Sequence, residues 1–315
     1  MVCGFEEREC LDCLFSGEAT ENEEHVIPAW MQRRFNLWQQ KIIIPNGTSL
    51  QYRFVKVGAA ERHNAKFGEI ENRISRGIYD PQEVYLWALK IHIGFLFRDA
   101  TLKADRSKPD SDTVWKIDDF ESEIVAFQTL FKVWSDGGSI SPNPFGSVFI
   151  LDALTPEPAF DFIHDVWSGT VLFQLGLKLI FVSLWDQSDG LSANLLEGWE
   201  KYHQPFVKSQ AAEDRQIYGH TAHHVWACDS AYWLWRQRRR FNFVRTPQSF
   251  ALIPPATRKR GLPASEAELS SFCKTFGLSL TKFNGEVSNA YTLLTLDDVI
   301  KRRGIPSSED AADST

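Results

Sequence analysis

The segment Glu24-His25-Val26-Ile27-Pro28 is the centre of the N-terminal part of this sequence. It places a carboxylate directly beside an imidazole, so that a metal ligand and a general base become immediate neighbours. The pair Cys10-x-x-Cys13 lies upstream with the spacing of a metal-binding knuckle, and Arg62-His63-Asn64 lies downstream. This order of residues predicts a small metal-centred module within the first quarter of the chain.

Local sequence patterns predict a helix, a hairpin and a second helix after this segment. The first helix covers residues 28–38, since proline suits a first helical turn. A β-branched run at residues 41–45, an Asn46-Gly47 turn and alternation over residues 50–57 predict a β-hairpin. Apolar residues at spacings of three and four predict an amphipathic helix over residues 64–76.

Beyond residue 77 the sequence predicts a larger mixed region. The chain holds 11 Trp and 23 Phe, and because such side chains bury large apolar areas we expect a densely packed core. Predicted helices cover residues 84–97, 121–134, 192–207 and 213–240, and predicted strands cover residues 145–153 and 170–185. We therefore predict an α+β protein with an N-terminal module at residues 1–78, a second domain at residues 79–306 and a disordered tail at residues 307–315.

Composition limits the classes to which this chain can belong. With 315 residues, 43% of them hydrophobic, the chain is long enough to form a sizeable core. Its net charge of −7 means that the molecule as a whole does not attract phosphate, so nucleic-acid contacts must come from local basic patches. Arg33, Arg34 and Arg62 are the candidates for such contacts near the central segment.

Cysteine usage and hydropathy predict a cytoplasmic protein without a membrane partner. Five unevenly spaced cysteines do not resemble a disulfide framework, which favours a reducing compartment. The N-terminal residues carry early acidic side chains and no apolar run, unlike a secretory signal. The most apolar stretch, residues 171–185, is too short to span a bilayer.

The N-terminal quarter resembles the HNH endonucleases of the ββα-metal type. The resemblance is carried by Cys13-Leu14-Phe15-Ser16-Gly17-Glu18, by Glu24-His25-Val26-Ile27-Pro28-Ala29-Trp30, and by His63-Asn64 followed by Phe67-Gly68-Glu69-Ile70-Glu71. It is closest to the branch written C-x-x-C, E-H-V-x-P-x-W and C-x-x-C/H-N. The resemblance implies a metal-dependent endonuclease that hydrolyses phosphodiester bonds in DNA, with RNA and single strands left open. By analogy with bacterial HNH proteins of this size, it also suggests a role in mobile elements or antiviral defence.

The same resemblance implies a role for each matching residue. His25 would be the general base that takes a proton from the attacking water, and Glu24 and Asn64 would hold one Mg²⁺ or Mn²⁺ ion. Carboxylate and amide oxygens suit these ions, and a neutral imidazole can accept a proton at physiological pH. Asn46, in the hairpin, is the candidate for orienting the base, and Glu71 is interpreted as a solvated helix residue.

The sequence departs from the family pattern at the zinc knuckles. Ser16 and Ala60 stand where the family has cysteines. Cys10-x-x-Cys13 could shift the first knuckle by one step and hold a structural zinc together with His63 and Cys3. Alternatively, packing replaces the zinc.

Other interpretations also stay open. The module could be a catalytically degenerate HNH scaffold that binds nucleic acid, or a protein partner through the C-terminal domain, or a zinc-knuckle regulatory protein without a catalytic ion. His220, His224 and Cys228 would share one helix face, which we interpret as packing rather than a metal site. The basic run at residues 236–240 is equally consistent with a phosphate contact and with a solvated helix end.

Overall fold

The computed structural model describes residues 22–152, 160–166, 168–185, 242–246 and 249–253. Contacts define two compact units, Met1–Val148 with Asn242–Ile253 and Phe149–Phe241 with Pro254–Thr315. Helices and strands are both well represented, in agreement with the predicted α+β class. The predicted division after residue 78 falls inside the first unit, between two helices that pack together, and stays a prediction about domain organisation.

The first unit begins with short strands followed by a longer helix. In chain order these elements are β1 (Asn22–His25), α1 (Ala29–Arg34), β2 (Lys41–Ile43), β3 (Ser49–Gln51), β4 (Lys56–Ala59) and α2 (Glu61–Ser75). Strand β1 pairs antiparallel with β4, which places His25 opposite Lys56. Helix α2 begins two residues after β4 ends, so its first turn lies beside the β1–β4 pair.

The hairpin predicted around Asn46 and Gly47 is confirmed, because β2 and β3 pair antiparallel on either side of that turn. Gly47 has a φ of +76°, a left-handed conformation that glycine adopts without strain. Asn46 Oδ1 accepts a hydrogen bond from the backbone N of Thr48 at 3.1 Å, and Asn46 Nδ2 donates to the carbonyl of Lys103 at 3.0 Å. One end of this amide therefore supports the turn, and the other connects the hairpin to Lys103.

Helix α1 is shorter than the predicted helix over residues 28–38. It ends at Arg34, and Asn36 then adopts a left-handed φ of +54°. The backbone N of Leu37 donates to the carbonyl of Gln32 at 2.8 Å, which closes the helix end. Trp38 consequently lies in the loop that follows the helix.

Two longer helices, α3 (Pro81–Asp99) and α4 (Glu121–Ser135), confirm the next two predicted helices. Asp80 caps α3 by accepting a hydrogen bond from the backbone N of Glu83 at 3.0 Å. Almost every residue of α3 is buried, as expected for a helix that is apolar on all sides. Phe67 of α2 stacks on Phe131 of α4 with ring centroids 4.3 Å apart, so α2, α3 and α4 share one core.

A short strand, β5 (Ser139–Ser141), follows α4, and the chain then enters the second unit. The next sheet contains β6 (Ser147–Asp152), which spans the boundary between the units, β7 (Phe160–Asp165), β8 (Thr170–Leu175) and β9 (Lys178–Ser183), in the order β6-β9-β8-β7. Every residue of β8 is buried. The strands predicted within residues 145–153 and 170–185 are confirmed, whereas β7 was not predicted because its polar residues obscure the apolar pattern.

The chain later returns to the first unit. Strand β10 (Asn242–Thr246) pairs antiparallel with β11 (Ser249–Ile253), and β11 pairs parallel with β5. The helices predicted at residues 192–207 and 213–240, with the His220 cluster and the basic run, lie outside the described residues. Among the described helices, none has the length and apolarity needed to cross a membrane.

Candidate active site

A cleft of about 350 Å³ lies in the first unit and is lined by residues of β1, α1 and α2. Glu24 and His25 come from β1, the strand that is held in place by β4. Asn64 comes from the first turn of α2. The structure therefore brings together the three residues predicted for catalysis and metal binding, although 40 positions separate Glu24 from Asn64.

Glu24 and Asn64 are in direct contact. Asn64 Nδ2 donates a hydrogen bond to Glu24 Oε2 over 2.8 Å, and both side chains are partly buried. This bond connects the first turn of α2 to β1. Asn64 Oδ1 accepts no hydrogen bond from the described residues, so the amide oxygen stays available to a ligand.

A lysine that the sequence analysis did not single out completes this group. Lys90, on α3, donates from Nζ to Glu24 Oε1 and to Glu71 Oε1, at 2.8 Å in both cases. Its side chain is 1% exposed. Burial lowers the pKa of Lys90, but attraction by Glu71 and Glu24 outweighs this effect and raises the pKa above its ordinary value. The ammonium is therefore charged at neutral pH.

Glu71 is not the solvated helix residue that we expected. Its side chain is 13% exposed and faces Lys90. Glu71 lies one helical turn after Phe67, on the face of α2 that packs toward α3, and this explains the burial. Burial raises the pKa of Glu71 above its ordinary value, while attraction by Lys90 opposes the rise.

The imidazole of His25 is held by its surroundings in a neutral state. Burial lowers its pKa, Lys56 lowers it further, and the carboxylate of Glu24 opposes the shift. The backbone of Arg53 hydrogen-bonds the ring, while Nε2 is buried without a partner. Nδ1 is therefore the nitrogen that faces Arg53, and Trp38 covers the ring at 5.7 Å between centroids.

The residue that holds the imidazole was not the one predicted. The amide of Asn46 bonds to Thr48 and Lys103 and not to the imidazole. The backbone of Arg53, in the 3₁₀ turn Tyr52–Phe54, takes the place that we assigned to Asn46. A backbone contact of this kind leaves no signal in side-chain identities.

The predicted basic residues have different environments. Arg33 lines the cleft, is exposed and makes no ion pair with the described residues. Arg34 donates from Nη1 to the carbonyl of Ser75 at 3.4 Å, near the end of α2. The side chain of Arg62 lies outside the described part of the structure. Arg33 is thus the basic side chain placed to meet a ligand in the cleft.

The predicted zinc ligands lie outside the described part of the structure. Cys10 and Cys13 precede the described residues, and the side chain of His63 is outside them as well. Within the described ranges, no group of three or more His, Cys, Asp or Glu side chains is arranged to hold a metal ion. The structural zinc therefore stays a prediction.

The chemistry of the cleft suits a hard divalent ion. Two carboxylates, Glu24 and Glu71, and the amide oxygen of Asn64 line it. Mg²⁺ and Mn²⁺ are commonly held by one or two carboxylates with water filling the remaining positions. The ammonium of Lys90 pairs with an oxygen of each carboxylate, so an ion would have to share them with this lysine.

Lys90 could have been noticed in the sequence. It is a lone lysine within the apolar run of the helix predicted at residues 84–97, and a helix buried on all sides must pair any charge that it carries. This signal indicates that a carboxylate partner exists. It does not indicate which carboxylate, because the two partners lie 66 and 19 positions away.

The chain was compared with protein-family models, with curated proteins and with solved structures, and no match was found. The resemblance to HNH endonucleases therefore depends on the residues quoted above, and the functional interpretation depends on the geometry of the cleft.

Proposed function

We propose that this protein is a metal-dependent endonuclease that hydrolyses phosphodiester bonds in DNA, with His25 as its general base. The supporting observation is that Glu24, His25 and Asn64 line one cleft, with Glu24 and Asn64 joined by a 2.8 Å hydrogen bond. Residues that match the HNH pattern at distant positions are thus neighbours in space.

In this proposal His25 takes a proton from the attacking water. Its lowered pKa keeps the imidazole neutral, as a general base requires. Nε2 is the nitrogen without a partner, since the Arg53 backbone holds the other side of the ring. Nε2 would therefore accept the proton, and this requires Trp38 to give the water access to it.

Glu24, Asn64 and Glu71 would hold the divalent ion. When bound, Mg²⁺ or Mn²⁺ would stabilise the negative charge that develops on the leaving oxygen. Arg33, exposed at the rim of the same cleft, would orient a phosphate of the substrate. Because the rest of the molecule is acidic, such a local arginine is needed to offset repulsion of the DNA backbone.

Two observations favour a second candidate, a degenerate module that binds nucleic acid or a protein partner without cutting. Lys90 and Asn64 engage the two carboxylate oxygens of Glu24, one each, and His25 Nε2 is buried. In this state both oxygens of Glu24 are engaged and Nε2 of His25 is shielded from water. The two candidates differ in whether the cleft opens.

Cleavage of plasmid DNA, single-stranded DNA and RNA with added Mg²⁺ or Mn²⁺ tests the proposal. We expect metal-dependent cleavage that is lost in His25→Ala and in Glu24→Gln. Glu69→Gln is the matched control, since Glu69 is an exposed carboxylate on α2 that pairs with Lys66 and does not line the cleft. Absence of cleavage by the folded wild type with all three substrates would favour the degenerate module.

A further inference from the structure

Two carboxylates of the candidate metal site, Glu24 and Glu71, already form ion pairs with the ammonium of Lys90. Lys90 belongs to α3, outside the β1–β4–α2 arrangement that supplies the other site residues. Its ammonium lies 2.8 Å from an oxygen of Glu24 and 2.8 Å from an oxygen of Glu71. The two carboxylates therefore share one positive charge at equal distances.

This ion-pair cluster is enclosed by protein. The side chains of Lys90, Glu24 and Glu71 are 1%, 16% and 13% exposed, so water screens their charges weakly. The ring of Phe67 lies 5.4 Å from Nζ and closes another side. A buried ammonium that lost these two partners would be left uncompensated, so the bridge is strongly held.

We infer that Lys90 competes with the divalent ion for Glu24 and Glu71, so that metal loading requires its ammonium to withdraw. This inference rests on the proposed metal-dependent function and adds a regulation to the same site. With Lys90 in place the cluster has a net charge of −1. Adding a divalent ion without moving Lys90 would change that charge to +1 and would place two cations on the same carboxylates.

The competition has a structural consequence. Because α3 is buried along nearly its whole length, its backbone holds the Cα atom of Lys90 in place. Only the side chain of Lys90 can move away from the two carboxylates. The empty and loaded forms of the site would then differ in the position of one ammonium. Lys90 is thus a positioning residue that keeps Glu24 and Glu71 in place until the ion arrives.

Direct measurement of Mn²⁺ binding tests this inference without relying on catalysis. We would titrate the wild type and Lys90→Met with Mn²⁺ by calorimetry and by electron paramagnetic resonance of the free ion. We expect Lys90→Met to bind Mn²⁺ at least tenfold more tightly. Lys66→Met is the control, because Lys66 is an exposed lysine that pairs with Glu69, and it should bind like the wild type. Equal or weaker binding by Lys90→Met would overturn the inference.

A second pair of variants covers the case in which Lys90→Met does not fold. Glu71→Gln retains Lys90 with one carboxylate, and the double variant Lys90→Met/Glu71→Gln removes the lysine from the same background. The double variant leaves a single buried carboxylate, which Asn64 still bonds. We expect it to bind Mn²⁺ more tightly than Glu71→Gln, and the reverse order would contradict competition.

Cleavage assays on the same variants separate this inference from the proposed function. Tighter Mn²⁺ binding after removal of Lys90, with no DNA cleavage by any folded variant, would support the competition and contradict the nuclease. Metal-dependent cleavage that needs His25, with Mn²⁺ affinity unchanged by Lys90→Met, would support the nuclease and overturn the role of Lys90.

Discussion

Asn64 donates a 2.8 Å hydrogen bond from Nδ2 to Glu24 Oε2, and this bond joins the first turn of α2 to strand β1. The contact fixes the relative positions of two elements that both line the cleft. It also holds the oxygen of Glu24 that Lys90 does not engage. Asn64 therefore has a structural role that can be measured independently of any catalysis.

Asn64→Ala should destabilise the fold and weaken metal binding together. A hydrogen bond to a charged, partly buried group contributes about 1.5–3 kcal/mol, so we expect the free energy of unfolding to fall by about 2 kcal/mol. Asn72→Ala is the control, since Asn72 is an exposed residue on the same helix that also lines the cleft. Urea denaturation measures both variants, and equal losses would contradict a specific role for Asn64.

Lys90→Met should destabilise the protein most at alkaline pH. Removing one partner of a buried ion pair costs about 3–5 kcal/mol, because the carboxylates of Glu24 and Glu71 are left uncompensated. Burial already raises the pKa of Glu71, and loss of Lys90 raises it further, so the folded variant takes up a proton more readily than the unfolded chain. Its stability should therefore recover as the pH falls. Denaturation at pH 8 and pH 5 gives the comparison, and a deficit that is independent of pH would contradict this account.

The pH dependence of cleavage should reflect the lowered pKa of His25. If His25 is the base, kcat/KM should rise with pH and reach its plateau with a midpoint below the ordinary value of 6.5. Because Lys56 contributes to the lowering, Lys56→Met should move that midpoint toward higher pH. Lys66→Met, which removes an exposed lysine paired with Glu69, serves as the control. A midpoint at or above 6.5 in the wild type would argue against this environment for the base.

Asp99 should make the stability of the first unit depend on pH. Burial raises the pKa of Asp99 to about 6, although the adjacent Arg98 opposes the rise. The folded state then binds a proton that the unfolded chain releases from about pH 3.8, so stability should decrease as the pH rises from about 4 to 6. Two pKa units correspond to about 3 kcal/mol. Asp99→Asn should lack this decrease and exposed Asp110→Asn should retain it; identical pH profiles for wild type and Asp99→Asn would refute the assignment.

Alanine substitutions at two glycines, Gly169 and Gly68, should change the stability of the fold in opposite directions. At Gly169 a Cβ atom would clash with Cδ1 of Trp185, and the φ of +64° is unfavourable for alanine. We expect Gly169→Ala to destabilise the second unit by more than about 1 kcal/mol. At Gly68, within α2, a Cβ atom meets nothing within 4 Å among the described residues beyond the adjacent residues and backbone of its own helix, so helix propensity should give a gain of about 0.5–1 kcal/mol. Thermal unfolding of both variants tests the contrast, which fails if Gly169→Ala is neutral.

Much of the local structure could be predicted because local signals specify it. Asp80 and Pro81 mark the start of α3, since one caps the helix and the other suits its first turn. Asn46-Gly47 marks the hairpin for a similar local reason. The predicted end of α1 was wrong. The helical pattern in the sequence continues through Trp38, but a left-handed turn at Asn36 interrupts the helix.

The sequence alone determined the residue types of the cleft: a Glu-His pair before a proline and an asparagine near a helix start. The packing of α3 against α2 decided which carboxylates Lys90 neutralises, and so turned Glu71 from an expected surface residue into a site residue. Periodicity reports which face of a helix is apolar, but it cannot report which distant charge that face will meet. That partner is set by contacts between elements far apart in the chain, which exist only after folding.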